Sequence, residues 1–176
     1  LEETAQPVDL QQTPADMVVL SFSDSDLGAF SVGWHNAKED LPSLRLANLA
    51  ALQHPLSVDT YIEQTLCYAK AVLLRLIGGM PYWAYGLQQL RAVAQENGIA
   101  LAVLAADGRA DSKLDEISTL PVSTLRRLRQ LCDAGGPDAA STALAQLALS
   151  AGLFARPKIG QKIPPRVGGW SLQNRL

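Results

Sequence analysis

The chain has 176 residues, 48% of them hydrophobic and 18% charged, which is the size of one ordinary domain and excludes wholesale disorder. Fifteen basic residues against seventeen acidic ones leave a formal charge of −2, which argues against nucleic acid or an anionic membrane as the main partner. A chain of this length buries roughly 68–70% of its unfolded surface, so its core needs neither a metal nor a disulfide.

Residues 1–16 are polar and strandless and read as a leader, expected to be truncated because the chain opens on Leu1 rather than Met. Met17–Phe22 is the first of four short apolar runs, followed by Ser43–Leu49, Ala71–Ile77 and Ile99–Ala105. Three of them are nearly continuous in apolar character, the pattern of strands covered on both faces of a parallel sheet. Their starts recur about every 27 residues, close to the length of a βαβ unit. Even the longest purely apolar run falls far short of the roughly 18 residues that a membrane-spanning helix needs.

Helical patterns fill the gaps. Leu27, Phe30, Trp34 and Ala37 share one face at steps of three and four, and Ser23 with Asp26 has the spacing of a weak capping box. Val58, Tyr61, Ile62, Thr65, Leu66 and Ala69 form a second stripe just beyond Pro55 and Ser57. Trp83, Leu87, Leu90 and Ala94 form a third after Pro81, stopped at Gly98. Further helical patterns cover Leu114–Ile117, Leu125 to Cys132, and Ala139–Ala151. From Arg156 onward Pro, Gly and scattered basic residues read as a linker whose large anchor is Trp170.

The alternation predicts an open, mostly parallel α/β sheet of four or more strands with helices on both faces, of Rossmann or flavodoxin type. A helical C-terminal extension follows. The expected division is a leader at 1–16, an α/β domain at 17–109, the extension at 110–155, and a linker at 156–176 toward a downstream region.

Ligands of such sheets sit beyond the carboxyl ends of the strands. Ser21-Phe22-Ser23-Asp24-Ser25-Asp26 is rich enough in oxygens to hold a hard cation, although capping of the next helix accounts for the same residues. Gly78 and Gly79 let the backbone approach a ligand or turn sharply, yet match neither G-x-G-x-x-G nor a P-loop. Arg45 and Arg75 interrupt apolar strands. Each is a candidate fork for a carboxylate, with a structural pair to Asp24, Asp26 or Asp107 as the alternative. Tyr82 and Tyr85 are candidates to stack on a flat macrocycle, whereas Trp83 fits the buried stripe. His35 and His54 lack a partner at metal-ligand spacing, so no metal site is expected. Cys67 and Cys132 form no disulfide framework, which makes a reducing cytoplasm the expected compartment. No nucleophile or acid pair stands out as catalytic.

Six stretches, in order, carry a resemblance. They are Thr13-Pro-Ala-Asp-Met-Val-Val-Leu-Ser, Leu41-Pro-Ser-Leu-Arg-Leu-Ala-Asn-Leu, His54-Pro-Leu-Ser-Val-Asp-Thr-Tyr, Val72-Leu-Leu-Arg-Leu-Ile-Gly-Gly, Tyr82-Trp-Ala-Tyr-Gly and Leu104-Ala-Ala-Asp-Gly. From about Val8 to about Ala155 the chain resembles the amino-terminal region of aerobic cobaltochelatase large subunits, relatives of the porphyrin-binding subunit of magnesium chelatase. The resemblance implies an enzyme that forms nitrogen–metal bonds, inserting Co²⁺ into hydrogenobyrinic acid a,c-diamide during aerobic cobalamin synthesis. It implies a complex using ATP and Mg²⁺, in which two smaller subunits, one an AAA+ ATPase, join the tetrapyrrole-binding subunit. This chain would then be a head fragment without catalytic residues or a cofactor of its own. Its role would be corrin enclosure or docking to the rest of the large subunit, with Arg45, Arg75, Tyr82, Tyr85, Gly78 and Gly79 as contacts. The alternative is a stand-alone flavodoxin-like module for a small anion or a protein partner.

Overall fold

The computed structural model describes residues 7, 9–78, 80–107 and 111–156. Four strands, β1 (Met17–Ser21), β2 (Leu44–Asn48), β3 (Ala71–Leu76) and β4 (Ala100–Ala105), pair in parallel in the order β2-β1-β3-β4. Each lies within one residue of its predicted run at both ends. Among the described residues there are six α-helices, α1 (Asp24–Asn36), α2 (Pro55–Gln64), α3 (Ala84–Asn97), α4 (Ser112–Ile117), α5 (Val122–Ala134) and α6 (Gly136–Ser150).

The residue pattern explains the layers. Successive strand side chains point to opposite faces. Val18, Leu20, Val72, Leu74, Leu101 and Val103 meet α2, α3 and α4 on one side. Met17, Val19, Leu73, Ala102 and Leu104 meet α1, α5 and α6 on the other. The chain moves one way through α1 from β1 to β2, then back through α2 on the opposite face to β3. Reversing direction and face together preserves one crossover hand, as parallel units require. The expected helical extension is present, and α5 and α6 complete the second layer beside α1. At their crossing Gly33 lets α1 approach so closely that a Cβ there would lie 2.5 Å from the Pro137 carbonyl oxygen.

The predicted caps form. Ser23 accepts the Asp26 N–H at 3.1 Å, and Gly98 ends α3 at φ 68°. The second helix is shorter than its apolar stripe. It stops at Gln64, and Leu66 is buried by a 3-10 turn, Leu66–Tyr68, instead. Thr65 breaks the helix there, at φ −131°, and its hydroxyl donates to the Gln12 carbonyl at 2.7 Å.

That bond belongs to a strap. Residues 9–16 lie along the outer side of β2 and α2, where Gln12 donates to Leu46 O and accepts the Tyr61 hydroxyl at 2.6 Å. At the other margin, Ser118 and Thr119 receive the Val103 and Leu101 N–H groups at 2.9 and 2.8 Å. Side chains of this chain thus take up backbone groups at both margins of the sheet. Among the described residues no helix is long and apolar enough to cross a membrane. The linker beyond Arg156 lies outside the described residues.

Candidate functional site

Strand order reverses between β1 and β3, so the crevice of this fold opens beyond their carboxyl ends, where Ser21 is the register partner of Arg75. Alternation along β3 turns Arg75 toward α1 and α5. Its guanidinium is buried and lies 3.3 Å from Asp26 Oδ1 and 2.8 Å from Asp133 Oδ1. Asp26 also accepts the Ser21 hydroxyl at 3.0 Å, and Ser21 in turn accepts the Ser23 N–H. Asp24 accepts from Asn48 Nδ2 at 2.8 Å. Arg75 Nε is buried without a hydrogen-bond partner among the described residues.

The chemistry of this crevice is therefore internal. The amino end of α1, where an anion would otherwise sit, already carries the carboxylates of Asp24 and Asp26. Beside them, burial pushes the Cys132 thiol up to about 12, against the opposing pull of the Arg75 cation. A thiol held neutral in this way is a poor nucleophile.

Arg45 is engaged too. Its Nε donates to the Thr13 carbonyl at 2.9 Å and Nη2 to the Thr13 hydroxyl at 2.7 Å, which pins the strap to β2. Of the remaining candidates, Gly78 adopts φ 87° at the end of β3, and Gly79 lies outside the described residues. Tyr82 and Tyr85 come together. Both face a groove of about 350 Å³ lined also by Gln53, Val58, Pro81 and Trp83. The Tyr82 ring lies 4.5 Å from that of Phe22. The Tyr85 hydroxyl donates to Asp59 Oδ1 at 2.7 Å, and that bond holds its proton more tightly than in a free phenol. Beneath them Trp83 is buried, with its indole N–H on the Leu52 carbonyl at 2.9 Å. Gly86 makes this possible, because a Cβ there would fall 2.1 Å from the indole.

Sequence reading missed three residues. Asp133 is 58 positions from Arg75, and a helix-surface acid signals no partner at that range. Gln12 sat in a stretch without pattern. Gly86 stood inside a helical pattern, where an isolated glycine is the signal for close packing. Among the described residues no three His, Cys, Asp or Glu side chains gather as a metal centre needs.

No family model matches the sequence. Two curated proteins, each described as aerobic cobaltochelatase subunit CobN, do match it. The one from a Sinorhizobium species is 38% identical over 133 residues, and the one from Pseudomonas aeruginosa is 42% identical over 127. The chain is related to CobN. These matches cover 76% and 72% of this chain and 10% of each CobN, so the chain spans about a tenth of its relatives' length. The catalytic subunit of cobaltochelatase from Mycobacterium tuberculosis shares the fold, with a TM-score of 0.63 and 22% identity, over 84% of this chain and 11% of that one. The CobN likeness thus reaches well beyond the four strands, into the helices that follow them.

Proposed function

We propose that this chain is a non-catalytic part of the tetrapyrrole-binding subunit of an ATP-dependent cobaltochelatase. The substrates would be Co²⁺ and hydrogenobyrinic acid a,c-diamide, on the aerobic route to cobalamin. The identity shared with CobN carries this reading. In that setting ATP and Mg²⁺ are used by the smaller subunits, one an AAA+ ATPase, and the work is done in the cytoplasm. The chain's share is corrin enclosure or docking to the rest of the large subunit. Tyr82 and Tyr85, a few positions after Gly78 and Gly79 in the chain, are the contact.

Chemistry supports that division. Metal insertion needs a base for the ring N–H protons, and Asp26 and Asp133 are tied to Arg75. With Arg45 and Arg75 both engaged, the aromatic groove is what remains for an outside surface.

Titrating the chain with hydrogenobyrinic acid a,c-diamide while following Trp83 fluorescence tests the reading. Saturable quenching supports enclosure, and capture of the rest of the large subunit without quenching supports docking. Absence of both quenching and capture overturns the proposal.

A further inference from the structure

The Tyr82–Tyr85 groove combines aromatic rings with acid and, among the described residues, is lined by no Lys, Arg or His. Pro81, Tyr82, Trp83 and Tyr85 come from the start of α3 and the turn before it, Gln53 and Val58 from α2 and the turn before that. Asp59 follows Val58 and accepts the Tyr85 hydroxyl through Oδ1 at 2.7 Å. A carboxylate has lone pairs for further donors, those of Oδ2 among them. α2 carries Asp59 and Glu63 and no basic residue. His54, at its amino end, is turned to the helix, where Nδ1 accepts the Leu56 N–H at 3.0 Å.

Three kinds of occupant make different demands on such a groove. An anion finds no basic side chain and meets Asp59. A neutral apolar group would cover the carboxylate without giving it a partner, which costs desolvation energy. A cation with flat faces satisfies both rings and acid. The amino end of α3 brings about half a positive charge to the same place, and the full negative charge of Asp59 exceeds it.

Arginine fits better than lysine. Its planar guanidinium stacks on aromatic rings and presents a fork of N–H groups to a carboxylate, whereas an ammonium is a compact, strongly hydrated point charge. The groove is also open. Tyr82 is 53% exposed and Tyr85 38%, while the pockets of free small molecules cover most of their ligand. An open groove suits a side chain delivered by a larger body.

We infer that the groove receives an arginine side chain of a protein partner, with its guanidinium stacked on Tyr82 and Tyr85 and its N–H fork on Asp59. This deepens the docking reading, in which the arginine belongs to the rest of the large subunit. It rests on the groove being a contact surface and involves no tetrapyrrole.

Titrating the full chain by NMR with the blocked tripeptides Gly-Arg-Gly, Gly-Lys-Gly and Gly-citrulline-Gly tests it, since citrulline keeps the shape of arginine without its charge. The arginine peptide should shift the Tyr82 and Tyr85 ring signals saturably, and the other two should bind about fivefold more weakly or worse. Asp59→Asn and Tyr82→Leu should each weaken the arginine peptide by a similar factor, with a urea midpoint near that of the wild type. Equal binding of arginine and citrulline, or of arginine and lysine, overturns the inference without recourse to any variant. So does a failure to saturate. Capture of the rest of the large subunit that Asp59→Asn leaves undiminished also overturns it, while the docking reading survives. Selective arginine binding by a chain that neither captures that subunit nor is quenched by the corrin supports this inference and sinks the chelatase reading instead.

Discussion

Removing the two acids around Arg75 should cost more stability than removing Arg75 itself. The guanidinium side chain is only 5% exposed, and it cannot lose its charge within any accessible pH range. Asp26→Asn together with Asp133→Asn therefore leaves an uncompensated buried cation. That situation costs about 3–5 kcal/mol. Arg75→Met leaves two carboxylates instead, but their side chains are 19% and 36% exposed and can turn toward water. Its cost should be about 1–2 kcal/mol, largely from imperfect packing of the replacement. Asp133 also sits 3.8 Å from Arg129 one helical turn away, a half-exposed pair that adds only a few tenths. Combining all three substitutions should recover most of the loss, because a buried ion group replaced by apolar and neutral groups is often neutral overall. Urea unfolding followed by circular dichroism reads the differences, and each kcal/mol should also move Tm by roughly 2–4 °C. If Arg75→Met proves as damaging as the double Asn variant, or the triple variant is worse than the double, the cation is not the group that needs compensation.

Four further outcomes follow from packing and charge. Gly86→Ala pushes the indole out of its place and should cost about 1–3 kcal/mol, with a red-shifted Trp83 emission in a background lacking the other tryptophans; an unshifted spectrum would contradict the 2.1 Å approach. Gly33→Ala meets the Pro137 carbonyl but gains about 1 kcal/mol of helix propensity, so a net loss of about 1–2 kcal/mol is expected by urea midpoint, and a gain would mean that α1 and α6 separate freely. The Cys132 thiol titrates at about 12 in the fold against an ordinary 9.0, so its contribution is complete below pH 9 and is lost as pH rises toward 12. Stability above pH 9 should fall with a slope approaching 1.4 kcal/mol per pH unit, and Cys132→Ala should flatten it; an unchanged slope between pH 9 and 10 assigns the loss elsewhere. Arg45→Ala should release the strap, giving at least tenfold faster proteolysis within residues 9–16, since both of its bonds to Thr13 disappear.

Local pattern made most of the fold legible. The four strands are apolar runs bounded by turn residues, and nothing in the tertiary structure shifts their ends by more than a residue. Ser23 and Gly98 announced a helix start and stop because capping is a matter of neighbouring backbone groups. The α2 terminus was illegible for the opposite reason. The apolar stripe runs on to Ala69, and what breaks the helix at Thr65 is a bond to Gln12, 53 residues away. Asp26 was foreseeable as a partner of Arg75 because both lie at strand ends, whereas Asp133 depends on how α5 crosses the sheet. Tyr82 and Tyr85 were singled out by type and spacing, but their groove exists only because Gly86 lets Trp83 lie flat beneath it.

The occupied margins matter for synthesis. CobN relatives are about ten times longer than the stretch matched here, so in a chain of that length a unit of this kind would fold beside much polypeptide that is still unfolded. Because Gln12 and Arg45 occupy carbonyls on one flank and Ser118 and Thr119 take N–H groups on the other, this unit offers unfinished neighbours fewer backbone groups to pair with.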